Sequence, residues 1–107
     1  MAIKIDLRVP PCKPIPEITA FVQECEDAGF DGVGMLDSQM LERDVFVCMA
    51  HALMNTSRIN VAAAVTNPVT RHPSVLASAA QTVSAVALGR APIWLERADR
   101  SRTAGAC

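Results

Sequence analysis

Three short β-like runs end at Val9, Leu36 and Val65, ~27–29 residues apart, the period of one strand plus one helix. The segments between them carry helical spacing. The order is therefore β-α-β-α-β-α, an α/β pattern whose strands run parallel. One more period falls near Ile93, where Ile93-Trp94-Leu95 supplies a fourth strand. The units share no evident sequence, so architecture repeats and wording does not. At 107 residues the chain holds one small domain with a modest core.

Local signals place the elements. Ile3 to Val9 reads as a strand, after which Pro10, Pro11, Pro14 and Pro16 enforce an extended loop. Pro16 and Glu17 suit the first turn of a helix with a stripe of Phe21, Val22, Cys25 and Ala28; Gly29 suits its C′ stop. Gly32 to Leu36 is a short apolar strand that runs into Asp37-Ser38. Asp44 can cap a second helix through Asn55, with Val45, Cys48, Met49, Ala52 and Leu53 on one face. Ile59 to Val65 is continuously β-like, as a strand covered on both faces requires. Pro73 can open a third helix with Val75, Leu76, Ala79, Ala80, Val83 and Ala87 as its stripe, and Gly89 can close it.

Composition excludes several classes. A net charge of −1 gives no electrostatic footprint for nucleic acid or an acidic membrane. No apolar run reaches the ~18–20 residues of a membrane span, and no basic-then-apolar leader opens the chain. The expectation is a cytoplasmic protein. Cys12, Cys25, Cys48 and Cys107 lack Cys-x-x-Cys spacing and read as packed thiols, with no metal site expected.

A three- or four-stranded parallel sheet fits a small doubly wound domain or the first half of a (β/α)8 barrel, and periodicity leaves both open. In either fold, ligands bind at the carboxyl ends of the strands. Asp37 and Ser38 follow the second strand; Thr66 and Asn67 follow the third. They would share one rim. Competing structural readings stand beside this: Asp37-Ser38 can simply start a loop, and Asn67 before Pro68 favours a turn. Arg71 and His72 could meet a phosphate, but His72 before Pro73 is well placed as an N-cap, and the structural role is favoured for that pair. His51 reads as a mid-helix histidine without a ligand. The nucleotide-binding reading of a doubly wound domain is weakened, because prolines and no Gly-x-Gly-x-x-Gly follow the first strand.

Longer stretches carry a resemblance. Glu26-Asp27-Ala28-Gly29-Phe30-Asp31-Gly32-Val33, Asp37-Ser38-Gln39, Arg43-Asp44, Asn55-Thr56-Ser57-Arg58-Ile59 and Val65-Thr66-Asn67-Pro68-Val69-Thr70-Arg71-His72-Pro73 resemble the luciferase-like monooxygenase superfamily. Within it they look most like the coenzyme F420-dependent methylenetetrahydromethanopterin reductase branch. The resemblance implies a (β/α)8 TIM barrel of which this chain is the N-terminal portion, truncated after three to four strands. It implies flavin- or deazaflavin-dependent hydride transfer or monooxygenation on a small-molecule substrate, with coenzyme F420 or FMN as cofactor. By that resemblance Asp37 and Ser38 face the ring or substrate and are the catalytic candidates. Ala64, Val65, Thr66 and Asn67 form the cofactor-binding set, with the strand-end bulge backing the ring and a non-proline cis peptide mapping near Ala64-Val65. The cofactor carries the hydride, so the protein supplies position and polarity.

The resemblance covers residues 1–91 as a domain, and residues 92–107 read as a non-family tail. The family's glycine-rich turn after Gly89-Arg90-Ala91 is replaced by arginine-rich sequence, expected here as out-of-frame translation. An open parallel sheet leaves edges and one face uncovered, so the chain alone is expected to be an incomplete copy of doubtful activity, oligomeric or prone to aggregate. The alternative is a non-catalytic βα module that binds a nucleotide or a partner protein.

Overall fold

A computed structural model describes residues 3–38 and 40–95. In it four strands, β1 (Asp6–Val9), β2 (Gly32–Met35), β3 (Asn60–Thr66) and β4 (Ile93–Leu95), alternate with α1 (Ile15–Asp27), α2 (Val45–Met54) and α3 (Pro73–Val86). Every neighbouring pair is parallel, and the spatial order is β1-β2-β3-β4. That order decides between the two architectures. A doubly wound sheet reverses its strand order at a switch point, whereas a sheet that adds each strand beside the last is the opening of a (β/α) barrel.

The core lies between one sheet face and the helices. Val9, Val33, Met35, Val61 and Ala63 supply the sheet side; Ile18, Val22, Cys25, Val45, Cys48, Met49, Ala52, Leu53, Leu76 and Val83 supply the helices. Because side chains alternate across a strand, Gly32, Gly34, Ala62 and Ala64 fall on the other face. These small residues let neighbouring strands approach closely. A Cβ on Gly34 would stand 3.0 Å from that of Ala64.

The expected elements form with shifted ends. β1 starts at Asp6, since its partner β2 starts at Gly32; before that point Ile5 N donates to Asp31 Oδ2 at 2.8 Å. α1 buries Ile18, Thr19, Val22 and Cys25, while Phe21 is left exposed. Gly29 closes that helix with φ +94°, the left-handed region that favours glycine. Asp44 caps α2 by accepting from Val47 N at 3.0 Å, and the whole expected face of that helix is buried. α3 stops at Val86, before Gly89, and only Leu76 and Val83 of its stripe are fully buried. The fourth strand forms where the period places it.

Cys25 and Cys48 are free and buried, and burial pushes both thiols up. Cys107 lies outside the described residues. No helix among the described residues is long and apolar enough to cross a membrane. Most of the tail expected over 92–107 lies outside the described residues, apart from its β4 portion.

Candidate active site

The β2–α2 and β3–α3 loops leave the carboxyl ends of adjacent strands, so their first residues meet. Asp37 and Thr66 are both buried, and Thr66 Oγ1 donates to Asp37 Oδ2 at 2.6 Å. Arg71, further along the second loop, donates from Nη1 to Asp37 Oδ2 at 2.5 Å and from Nη2 to Asp44 Oδ1 at 2.8 Å. Its guanidinium also lies 4.9 Å from the Phe46 ring centroid, within cation–π range. One cation therefore ties the two loops and the N-cap of α2 together. Burial alone would lower the Arg71 pKa, but hydrogen bonds and charge from Asp37 and Asp44 hold it above its ordinary value.

Asn67 organises the second loop. Its Oδ1 accepts from Val69 N at 3.0 Å, Thr70 N at 2.9 Å and Thr70 Oγ1 at 3.2 Å, an Asx turn ahead of α3. Its amide nitrogen makes no hydrogen bond among the described residues. His72 Nδ1 accepts from Ser74 N at 3.1 Å and caps α3, the structural role favoured for it from sequence. Mid-helix His51 meets Thr19 Oγ1 through Nδ1 at 2.6 Å, which joins α2 to α1.

The end of β3 is irregular. Ala64 pairs with Trp94 and Thr66 with Leu95, so Val65 is an extra residue, a bulge of the kind that re-aims side chains at barrel rims. The Ala64–Val65 peptide is cis, where the resemblance places such a bond. Val65 is 37% exposed beside buried Thr66. A flat aromatic ring needs an apolar backing of small residues with polar groups at one edge. Ala64, Val65 and the open amide nitrogen of Asn67 fit that requirement.

Beside the bulge, Asp37, Ser38, Met40, Glu42, Arg43, Asp44 and Arg71 line a cleft of about 290 Å³. All the candidate residues thus lie on one rim, with Ser38 buried in the cleft and Ala64 to Asn67 at the strand end. Two participants escape sequence reasoning. Arg71 is the partner of Asp37 across 34 positions, and Glu42 enters the cleft lining. The signal for Arg71 was its place in a loop on the same rim as Asp37. Glu42 stands in a charged Glu-Arg-Asp run, and nothing in that wording marks it as part of a cleft.

Comparison with known proteins agrees with the fold. The model of the luciferase-like monooxygenase family matches residues 3–100. A 5,10-methylenetetrahydromethanopterin reductase from Methanolobus tindarius is 33% identical over 85 residues, 79% of this chain and 26% of the relative. The coenzyme F420-dependent tetrahydromethanopterin reductase from Methanopyrus kandleri superposes with a TM-score of 0.86 at 26% identity, over 94% of this chain and 29% of that one. Two further structures share the fold. An F420-dependent secondary alcohol dehydrogenase, in complex with an F420–acetone adduct, gives a TM-score of 0.80 at 18% identity over 89% of this chain and 32% of that one. The monooxygenase RslO1 from Streptomyces bottropensis gives 0.78 at 20% identity over 94% and 39%. The chain spans about a quarter to two fifths of the length of these relatives. With the family match, the barrel-type strand order and the rim at the carboxyl ends of its strands, the chain belongs to the luciferase-like monooxygenase family.

Proposed function

We propose that this chain supplies the cofactor-facing rim of a coenzyme F420-dependent oxidoreductase that moves hydride to or from a small-molecule substrate. The observation that carries the reading is the rim itself. The cis Ala64–Val65 bulge lies beside Asp37, which Thr66 and Arg71 hold in place. When bound, the deazaflavin supplies the hydride. Ala64 and Val65 would back its ring, and the Asn67 amide nitrogen would meet its polar edge. Thr66 acts one step behind, since its hydroxyl is given to Asp37. Asp37 and Ser38 stand next to the substrate, in a cleft close to the small end of ligand pockets.

Support for F420 over FMN comes from two of the similar structures, the Methanopyrus kandleri reductase and the secondary alcohol dehydrogenase, which are F420-dependent. The described sheet encloses such a ring on one side only, because β1 and β4 each pair with a single strand. The isolated chain therefore binds cofactor weakly, turns over little and self-associates through its open edges. Fluorescence titration of the chain with F420, with FMN in parallel, tests this. Saturable F420 binding, lost in Val65→Asp, supports the reading. FMN binding in its place would move the assignment to flavin. Stable self-association with neither cofactor bound would favour a non-catalytic βα module, a reading the two open edges also suit.

A further inference from the structure

Three carboxyl groups line the cleft, and two of them are already committed. Asp37 accepts from Thr66 and Arg71, and Asp44 accepts from Arg71 while capping α2. Glu42 makes no ion pair among the described residues, and its Oε2 is buried without a hydrogen-bond partner. A turn fixes its position, with Leu41 N and Glu42 N both donating to Ser38 O at 3.2 and 3.0 Å. The nearby cations do not neutralise it. Arg71 is shared by the two aspartates, and Arg43 donates from Nη1 to Cys12 O. Arg8 on β1 acts on it only through its field.

We propose that Glu42 is a further catalytic residue of this rim, carrying the proton to or from the heteroatom of a C=O or C=N bond while hydride moves at its carbon. This rests on the hydride-transfer reading above. In the reducing direction the bound deazaflavin would supply the hydride to the carbon and one proton to solvent. As the π pair moved onto the heteroatom, that atom would take the Glu42 proton, and the Glu42 carboxylate would recover a proton from solvent. In the oxidising direction the same carboxylate accepts the hydroxyl or amine proton.

The environment suits that task. Burial pushes the Glu42 carboxyl up and the charge of Asp37 adds to this, while Ser38 and Arg8 oppose it in part. Asp37 is committed to the Arg71 guanidinium and the Thr66 hydroxyl, whereas Glu42 keeps a buried oxygen without a partner beside the same cleft.

The test reads the proton directly. The chain is labelled with carboxyl-13C glutamate, Glu42 is assigned with Glu42→Gln, and the signals are followed by NMR against pH with and without acetone as carbonyl probe. Glu42 is expected to titrate highest of the assigned glutamates, and acetone is expected to shift its signal. Titration in the ordinary range, or no response to acetone, would overturn the proposal. A second readout separates this from the cofactor reading. Glu42→Gln should keep wild-type F420 affinity while losing roughly 100-fold or more in ketone reduction by reduced F420. An unchanged reduction rate in that variant sinks the Glu42 role and leaves the cofactor reading intact. If F420 does not bind at all, the cofactor reading falls, and the NMR titration still decides whether Glu42 holds the proton.

Discussion

The two ends of this sheet use the same residue types for opposite purposes. At the amino end, Glu26 accepts from the backbone N–H groups of Ser57, Arg58 and Ile59 at 3.0, 2.6 and 2.8 Å. Arg58 donates back to the carbonyls of Phe30 and Glu26, and Arg90 donates to Ile59 O and Thr56 Oγ1. Carboxylate and guanidinium groups there are paired mostly with the main chain, which ties the connections between helices and strands together. At the carboxyl end, Arg71, Asp37 and Asp44 pair with each other across loops, and Glu42 is left with a buried oxygen unmatched. Main-chain pairing stabilises a scaffold. Side-chain pairing around a cleft leaves groups that a ligand can use.

That contrast breaks most sharply at Arg71. Arg71→Met removes the cation from buried Asp37 and should cost about 3–5 kcal/mol, read from urea unfolding. Adding Asp37→Asn should recover much of that loss, since the remaining group no longer carries a buried charge. If the double variant is no better than the single one, the pair does not carry the rim.

Glu26→Ala probes the other end and should cost about 1–3 kcal/mol, because three backbone donors lose their acceptor. The pH dependence has a definite sign. Burial alone would raise the Glu26 carboxyl, but the backbone hydrogen bonds from Ile59, Arg58 and Ser57, with the Arg58 charge, hold it below its ordinary value. Its contribution is therefore present above the unfolded-state pKa and lost as pH falls through the folded-state one. Melting temperatures of wild type and variant should converge on acidification, and a gap constant with pH would contradict the carboxylate's role.

A smaller effect belongs to the α3 cap. His72→Ala should cost about 1 kcal/mol, and His72→Asn, which retains a capping acceptor, should recover most of it in thermal unfolding. The smallest change reverses direction. Because the Glu42 carboxyl is raised, its ionisation costs stability as pH climbs through the folded-state pKa. Glu42→Gln should be indistinguishable from wild type in acid and slightly more stable above neutrality. A variant less stable at high pH would show that the ionised Glu42 is welcome in the cleft.

Much of the scaffold was legible because its signals are local. The proline at the start of α3, the aspartate capping α2 and the glycine closing α1 each act within a turn of where they stand. The recurrence of strands also located β4. Amphipathic stripes were less reliable. Phe21 and Val75 continue apolar patterns but are 44% and 56% exposed, since burial depends on which neighbour covers the helix.

The amino-acid sequence determined the alternation of strand and helix, the caps and stops, and the grouping of Asp37, Ser38, Thr66 and Asn67 at strand ends. Its wording pointed to the family that the comparisons then bore out. Only the tertiary structure decided the strand order, and so a barrel-type sheet over a doubly wound one. It alone joined Arg71 to Asp37 and Asp44, and separated a paired carboxylate from the unmatched Glu42. The reason is physical. Caps and turns act over a few residues, whereas charge pairing and desolvation depend on which loops the sheet brings side by side.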